Sequence, residues 1–285
     1  MFDKKAFFLF IMCLFGCLGP IVRAIGLPSP VTAWLRAWIS GAALLIYLFA
    51  IKRNTDFKEL KRLIKPMALC GIFLAIDWIG LFEAYNYTTI AVATVTYYIE
   101  PVLMLIGASV FLKENFSARH LVCIFAAFIG VALVSGIIEN GVPEPAQLRG
   151  IFFAFMGALG YASLLLINRN YPDSDPILRT TIQLVVAGIV TTPYVLLRYD
   201  MSALTFTTRG ILMLILLSVG FTAVLYIFYF RLASSIPAKT VAMFSYADPV
   251  TAVIISAVFM GEKMTLWGLL GTVLVIGSAI VSEKK

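Results

Sequence analysis

The predicted fold class is all-α integral membrane: ten transmembrane helices in two inverted five-helix repeats, with both termini cytoplasmic. Three observations predict it. Of 285 residues, 61% are apolar and 13% charged, with mean hydropathy +0.97, which leaves too little polar side chain to clothe a soluble globule of that size. Apolar segments of about 20 residues, each able to cross a hydrocarbon core of roughly 30 Å, recur almost from end to end. A segment of the first half returns in the second at a fixed offset.

The elements follow in order. A short basic start, MFDKK, leads into a span at about 6–26; it lacks a small-residue cleavage site and reads as a retained helix. GLPSP turns the chain into a second span at about 30–51, and KRNTDFKELKRLIK separates that from a third at about 66–87. Spans at about 90–112 and 118–138 complete the first half. ENGVPEPAQ introduces a sixth at about 148–168 and NYPDSDP a seventh at about 177–197; three more follow at about 209–230, 238–260 and 264–282. No stretch remains for a soluble domain. Cys13, Cys17, Cys70 and Cys123 all fall inside apolar segments and read as core packing.

Lys and Arg set the orientation. With the N-terminus inside, sixteen lie in cytoplasmic segments and five outside, with Arg36 within a span. An anionic leaflet accounts for the net charge of +7, so no nucleic-acid partner is implied.

An offset of 148 lays YIEPVLMLIGASVFLKE (98–114) on YADPVTAVIISAVFMGE (246–262) with seven identities in seventeen. An offset of 147 lays GVALVS (130–135) on GSAIVS (277–282) with four in six. The chain therefore divides into a first repeat, 1–140, and a second, 141–285. Five spans per repeat is an odd number, so the second repeat enters the membrane from the opposite side.

These marks, with TAWLRAW around Arg36, GLFEAYNYTT closing the third span and the glycines Gly130 and Gly277, resemble the drug/metabolite transporter superfamily, specifically its EamA-like members, over essentially the whole chain. The resemblance implies a multi-pass secondary transporter of the cell membrane, with a central cavity lined by both halves. It implies no substrate and no cofactor.

Ionised side chains within a span cost about 2.5–3.5 kcal/mol each on insertion scales, so each needs a partner, a proton or water. Asp77, Glu100 and Asp248 fall near the midplane; Arg36 and Glu83 fall nearer the outer side. Glu100-Pro101 and Asp248-Pro249 are repeat counterparts. Each proline lacks an N–H and frees the carbonyl four residues earlier, on Tyr97 or Ser245, beside a carboxylate. Two readings stand: the acids carry a proton or cation, or they pin kinked helices. Arg36, in a stripe with Thr32 and Ser40, either clamps a substrate carboxylate or neutralises Glu83 or Asp77. Trp78, Tyr97 and Tyr246, next to the acids, are candidates to wall the site or stack on an ammonium. Gly130, Gly268, Gly271 and Gly277 read as close helix contacts, within one chain or at a homodimer seam.

A secondary transporter fits best, proton-coupled and taking a zwitterionic or cationic solute such as an amino acid or amine, since four acids face one base. An enzyme is disfavoured: one histidine, His120, and no HExxH, Ser-His or Cys-His pattern supply neither a metal site nor a nucleophile with its base. A channel, and other metabolite classes such as nucleosides, sugars or organic anions, are the alternatives.

Overall fold

The chain buries its apolar residues helix against helix. A computed structural model describes residues 3–50, 57–134, 147–259 and 265–283, and every regular element among them is helical. The expected linker residues 139–146 and the repeat residue Glu262 lie outside the described residues.

In chain order the helices are α1 (Lys4–Gly16), α2 (Leu18–Ile25), α3 (Ser29–Ala50), α4 (Phe57–Tyr87), α5 (Ile90–Tyr97), α6 (Glu100–Leu112), α7 (Ala118–Val134), α8 (Leu148–Arg169), α9 (Pro176–Arg198), α10 (Thr208–Ile215), α11 (Leu225–Ala233), α12 (Ala238–Ser245), α13 (Ala247–Phe259) and α14 (Leu266–Glu283). Seven helical stretches among the described residues are long and apolar enough to cross a membrane, some joining two of these helices; 118–133 and 266–282 are shorter apolar helices. The chain is a multi-pass membrane protein with a two-repeat architecture.

Three of the expected spans are not simple rods. The first breaks at Cys17, between Gly16 and Leu18. The fourth breaks between α5 and α6, and the ninth between α12 and α13. Both of the latter breaks lie just before an acid-proline pair, and each is preceded by a hydroxyl that bonds back one turn: Thr96 Oγ1 to the Val92 carbonyl at 2.8 Å, and Ser245 Oγ to the Val241 carbonyl at 2.9 Å. Such back-bonds compete with the helical ladder and bend it. The ladder restarts at Leu103 N–H to the Ile99 carbonyl, 3.0 Å.

The third span begins earlier than expected. α4 starts at Phe57, so KELKRLIK forms its first turns rather than a linker, because Lys, Glu, Leu and Arg are good helix formers. Between α10 and α11 the helix widens to a π-helical turn, Leu216–Val224, in which Thr222 Oγ1 donates to the Leu217 carbonyl at 2.9 Å.

The chain forms two compact units, each drawing on both repeats. The first comprises Met1–Pro20, Gly80–Ala162 and Ile236–Lys285; the second, Ile21–Ile79 and Ser163–Ser235. In the first unit α7 packs on α14, α1 on α13, and α6 on α12. The seam of α7 and α14 needs Gly130: a Cβ there would come within 2.7 Å of Val275 Cγ2 and 2.8 Å of the Gly271 carbonyl. Gly130 is thus a contact within one chain, whereas Gly277 has nothing within 4 Å of an added Cβ. In the second unit α9 packs against both α3 and α11.

Candidate functional site

In the first unit the two helix breaks meet. Tyr98 closes α5 at the first break, and its hydroxyl donates to an Asp248 carboxylate oxygen at 3.2 Å. Tyr246 closes α12 at the second, and its hydroxyl donates to the Tyr98 carbonyl at 3.2 Å. Tyr97 stands edge-on to Tyr98, ring centres 5.8 Å apart. Glu100 is 3% exposed at the start of α6, two residues beyond Tyr98. Pro101 and Pro249 are buried beside their acids.

Helix α1 makes this region tight. A Cβ on Gly16 would fall 2.6 Å from both the Asp248 carbonyl and Thr251 Cβ. Glu83, also in this unit, is buried, with an Asn86 amide at 3.4 Å from its carboxylate.

The carbonyl engaged at the first break belongs to Tyr98, one residue beyond the expected Tyr97. The helix ends at Tyr97 rather than running on to the proline, so Tyr98 is its cap and its carbonyl is open to the Tyr246 hydroxyl. Tyr98 contacts an acid, a role not singled out from the sequence. Its signal lay in the repeat: Tyr98 is the 148-offset counterpart of Tyr246.

In the second unit Arg36 lies over Trp78, its guanidinium carbon 4.1 Å from the ring centre. Its Nε is buried without a hydrogen-bond partner among the described residues. Thr32 and Ser40, on the same stripe, are buried, and Ser40 Oγ donates to the Arg36 carbonyl and, at 2.8 Å, to the Ser218 carbonyl in the π-helical turn. Asp77 is buried next to Trp78 in sequence. Trp34 and Trp38 both donate to Thr192 Oγ1, at 2.9 and 3.1 Å, which holds α3 on α9. Arg36 thus takes an aromatic face within this unit.

A second polar cluster in this unit went unread in the sequence. Arg179, at the start of the seventh span, is fully buried, and its Nη1 donates to the Asn168 and Tyr171 carbonyls at 3.2 and 2.8 Å. These carbonyls lie at the end of α8 and in the turn after it, where a cation interacts favourably with the helix dipole. Gln183, one turn further, donates to Asn168 Oδ1 at 3.0 Å. The i, i+4 spacing of Arg179 and Gln183 in an apolar run was the available signal.

The EamA-like transporter family model matches residues 4–136 and again 148–283. The uncharacterised transporter YxxF of Bacillus subtilis (strain 168) is 27% identical over 93% of this chain and 84% of that protein. The uncharacterised transporter YvbV of the same organism is 24% identical over 97% of this chain and 90% of its own length. An uncharacterised transporter of Archaeoglobus fulgidus is 24% identical over 90% of both. One crystal structure of a protein superposes with a TM-score of 0.83 over 98% of this chain and 96% of that one, at 16% identity, a likeness of fold alone.

Proposed function

The chain belongs to the EamA-like transporter family, and from that premise we propose that it is a proton-coupled secondary transporter of zwitterionic or cationic solutes, working by alternating access. It crosses the membrane ten times with both termini in the cytoplasm. Its two repeats have opposite orientation.

One observation carries the reading: at repeat-equivalent helix breaks the Asp248 carboxylate accepts from Tyr98, Tyr246 donates to the Tyr98 carbonyl, and Glu100 is buried two residues beyond Tyr98. A carboxylate in so little water ionises reluctantly, so each of the two can hold a proton and release it when the site opens. In the second unit Arg36, with an unused buried donor, suits a substrate carboxylate, while Trp78 and Asp77 suit an ammonium. A solute bearing both groups satisfies both.

The hydrogen bond from Tyr98 to Asp248 also favours a second reading, in which the acids pin the broken helices. Purified protein in proteoliposomes under an imposed pH gradient separates the two. The proton-coupled reading expects amino acid or amine uptake that follows the gradient and collapses with a protonophore. Flux indifferent both to the gradient and to Glu100→Gln would sink it.

A further inference from the structure

Tyr98 and Tyr246 are repeat counterparts, as are Glu100 and Asp248, yet their hydrogen bonds are not equivalent. Tyr98 gives its hydroxyl proton to Asp248, the acid of the other repeat, whereas Tyr246 gives its own to the Tyr98 backbone carbonyl. Glu100, the acid a symmetric arrangement would hand to Tyr246, lies in the same buried cluster.

Two inverted repeats that exchange conformations generate the second access state from the first. Exchange here means that every repeat-one role passes to its repeat-two counterpart. The bond from Tyr98 to Asp248 becomes one from Tyr246 to Glu100, and the bond from Tyr246 to the Tyr98 carbonyl becomes one from Tyr98 to the Tyr246 carbonyl.

We propose that Tyr98 and Tyr246 are positioning residues that trade places between the two access states, each phenol holding the opposite repeat's carboxylate in one state and the opposite repeat's backbone in the other. The proposal rests on the alternating-access reading but not on proton coupling or on any substrate. In the state described, the Tyr98 phenol holds Asp248, and in the exchanged state the Tyr246 phenol holds Glu100. The helix breaks are required, because an unbroken ladder would leave neither backbone carbonyl open to a phenol.

The test uses full-length protein in lipid nanodiscs without substrate or gradient, spin-labelled at Lys61 and Arg119, both exposed and both expected on the cytoplasmic face. Pulsed electron resonance reads the populations of the two states. Tyr98→Phe removes the carboxylate bond of the state described here and the backbone bond of the other, and the carboxylate bond is the stronger. It therefore shifts the ratio away from this state, by about five-fold for the loss of one net bond. Tyr246→Phe shifts the ratio by a similar factor in the opposite direction, and the double variant returns toward the parent.

Asp248→Asn, which keeps the side chain's shape, provides a second measurement should Tyr98→Phe fail to fold. It moves the ratio in the same direction as Tyr98→Phe, and Glu100→Gln moves it in the opposite direction. A role confined to structural support shifts both tyrosine variants the same way. That result, or no shift in either pair, overturns the exchange. Gradient-indifferent flux with opposite shifts intact would instead fail only the proton-coupled reading.

Discussion

The hydroxyl of Tyr98 lies 3.2 Å from a carboxylate oxygen of Asp248, joining two residues 150 positions apart in the chain. The contact ties the break in the fourth span to the break in the ninth. It gives the acid-proline pairs a direct physical connection.

Asp248→Asn and Glu100→Gln each keep the size of the acid and remove its charge. Gradient-driven uptake should fall about ten-fold or more in each, since neither amide can take and release a proton in the working range. Size-exclusion profiles should match the parent. Aggregation of both variants, in place of folded but inactive protein, would support the pinning role.

Gly16→Leu should lower stability by about 1–3 kcal/mol, because the added side chain meets backbone at the start of α13 rather than a flexible side-chain tip. Gly277→Ala is the control, with open space around its added Cβ, and should leave the melting temperature in detergent unchanged.

Arg179→Met should destabilise the protein by about 2–3 kcal/mol by stripping the end of α8 of its charged donor. Arg179→Lys should recover part of this, one ammonium being unable to reproduce the planar donor set of a guanidinium. Denaturant titration of the purified variants gives the ranking.

Trp78→Leu removes the aromatic face under Arg36, and Trp78→Phe keeps a weaker one. Loss of the cation–π contact costs about 0.5–2 kcal/mol, and Phe should fall between Trp and Leu in thermal stability. Equal melting temperatures for all three would show that the stacking contributes nothing.

Asp200, on an exposed turn after α9, accepts from both the hydroxyl and the N–H of Ser202, at 2.7 and 2.9 Å, which hold its carboxyl below the usual aspartate value. A depressed folded-state pKa means that the contribution is present above the ordinary value of 3.8 and fades as pH falls through the lower one. Ser202→Ala should move the Asp200 titration, followed by NMR, back toward that ordinary value.

The helices, the repeat and the unusual acids were legible because hydropathy and internal similarity are local or periodic properties. The breaks were half legible. Pro101 and Pro249 marked them, but the choice of Tyr98 over Tyr97 as cap depended on where the ladder gave way, with Thr96 and Ser245 adding bends that proline alone does not encode. The burial of Arg179 was not legible because a charge near the end of an apolar segment looks the same whether it reaches water or bonds to a neighbouring helix end. Arg36 was found as a candidate, while its seat on Trp78 depends on how α3 and α4 pack and has no signature along the chain.

The two compact units each gather segments far apart in the sequence, and this bears on how the chain is assembled during synthesis. Helix α1 leaves the ribosome long before α13, which packs on it. Throughout translation α1 must wait in the bilayer with Gly16 facing lipid or a temporary neighbour. Contacts so distant in sequence form slowly, which makes the arrival of α13 the step at which the Gly16 face of α1 is covered.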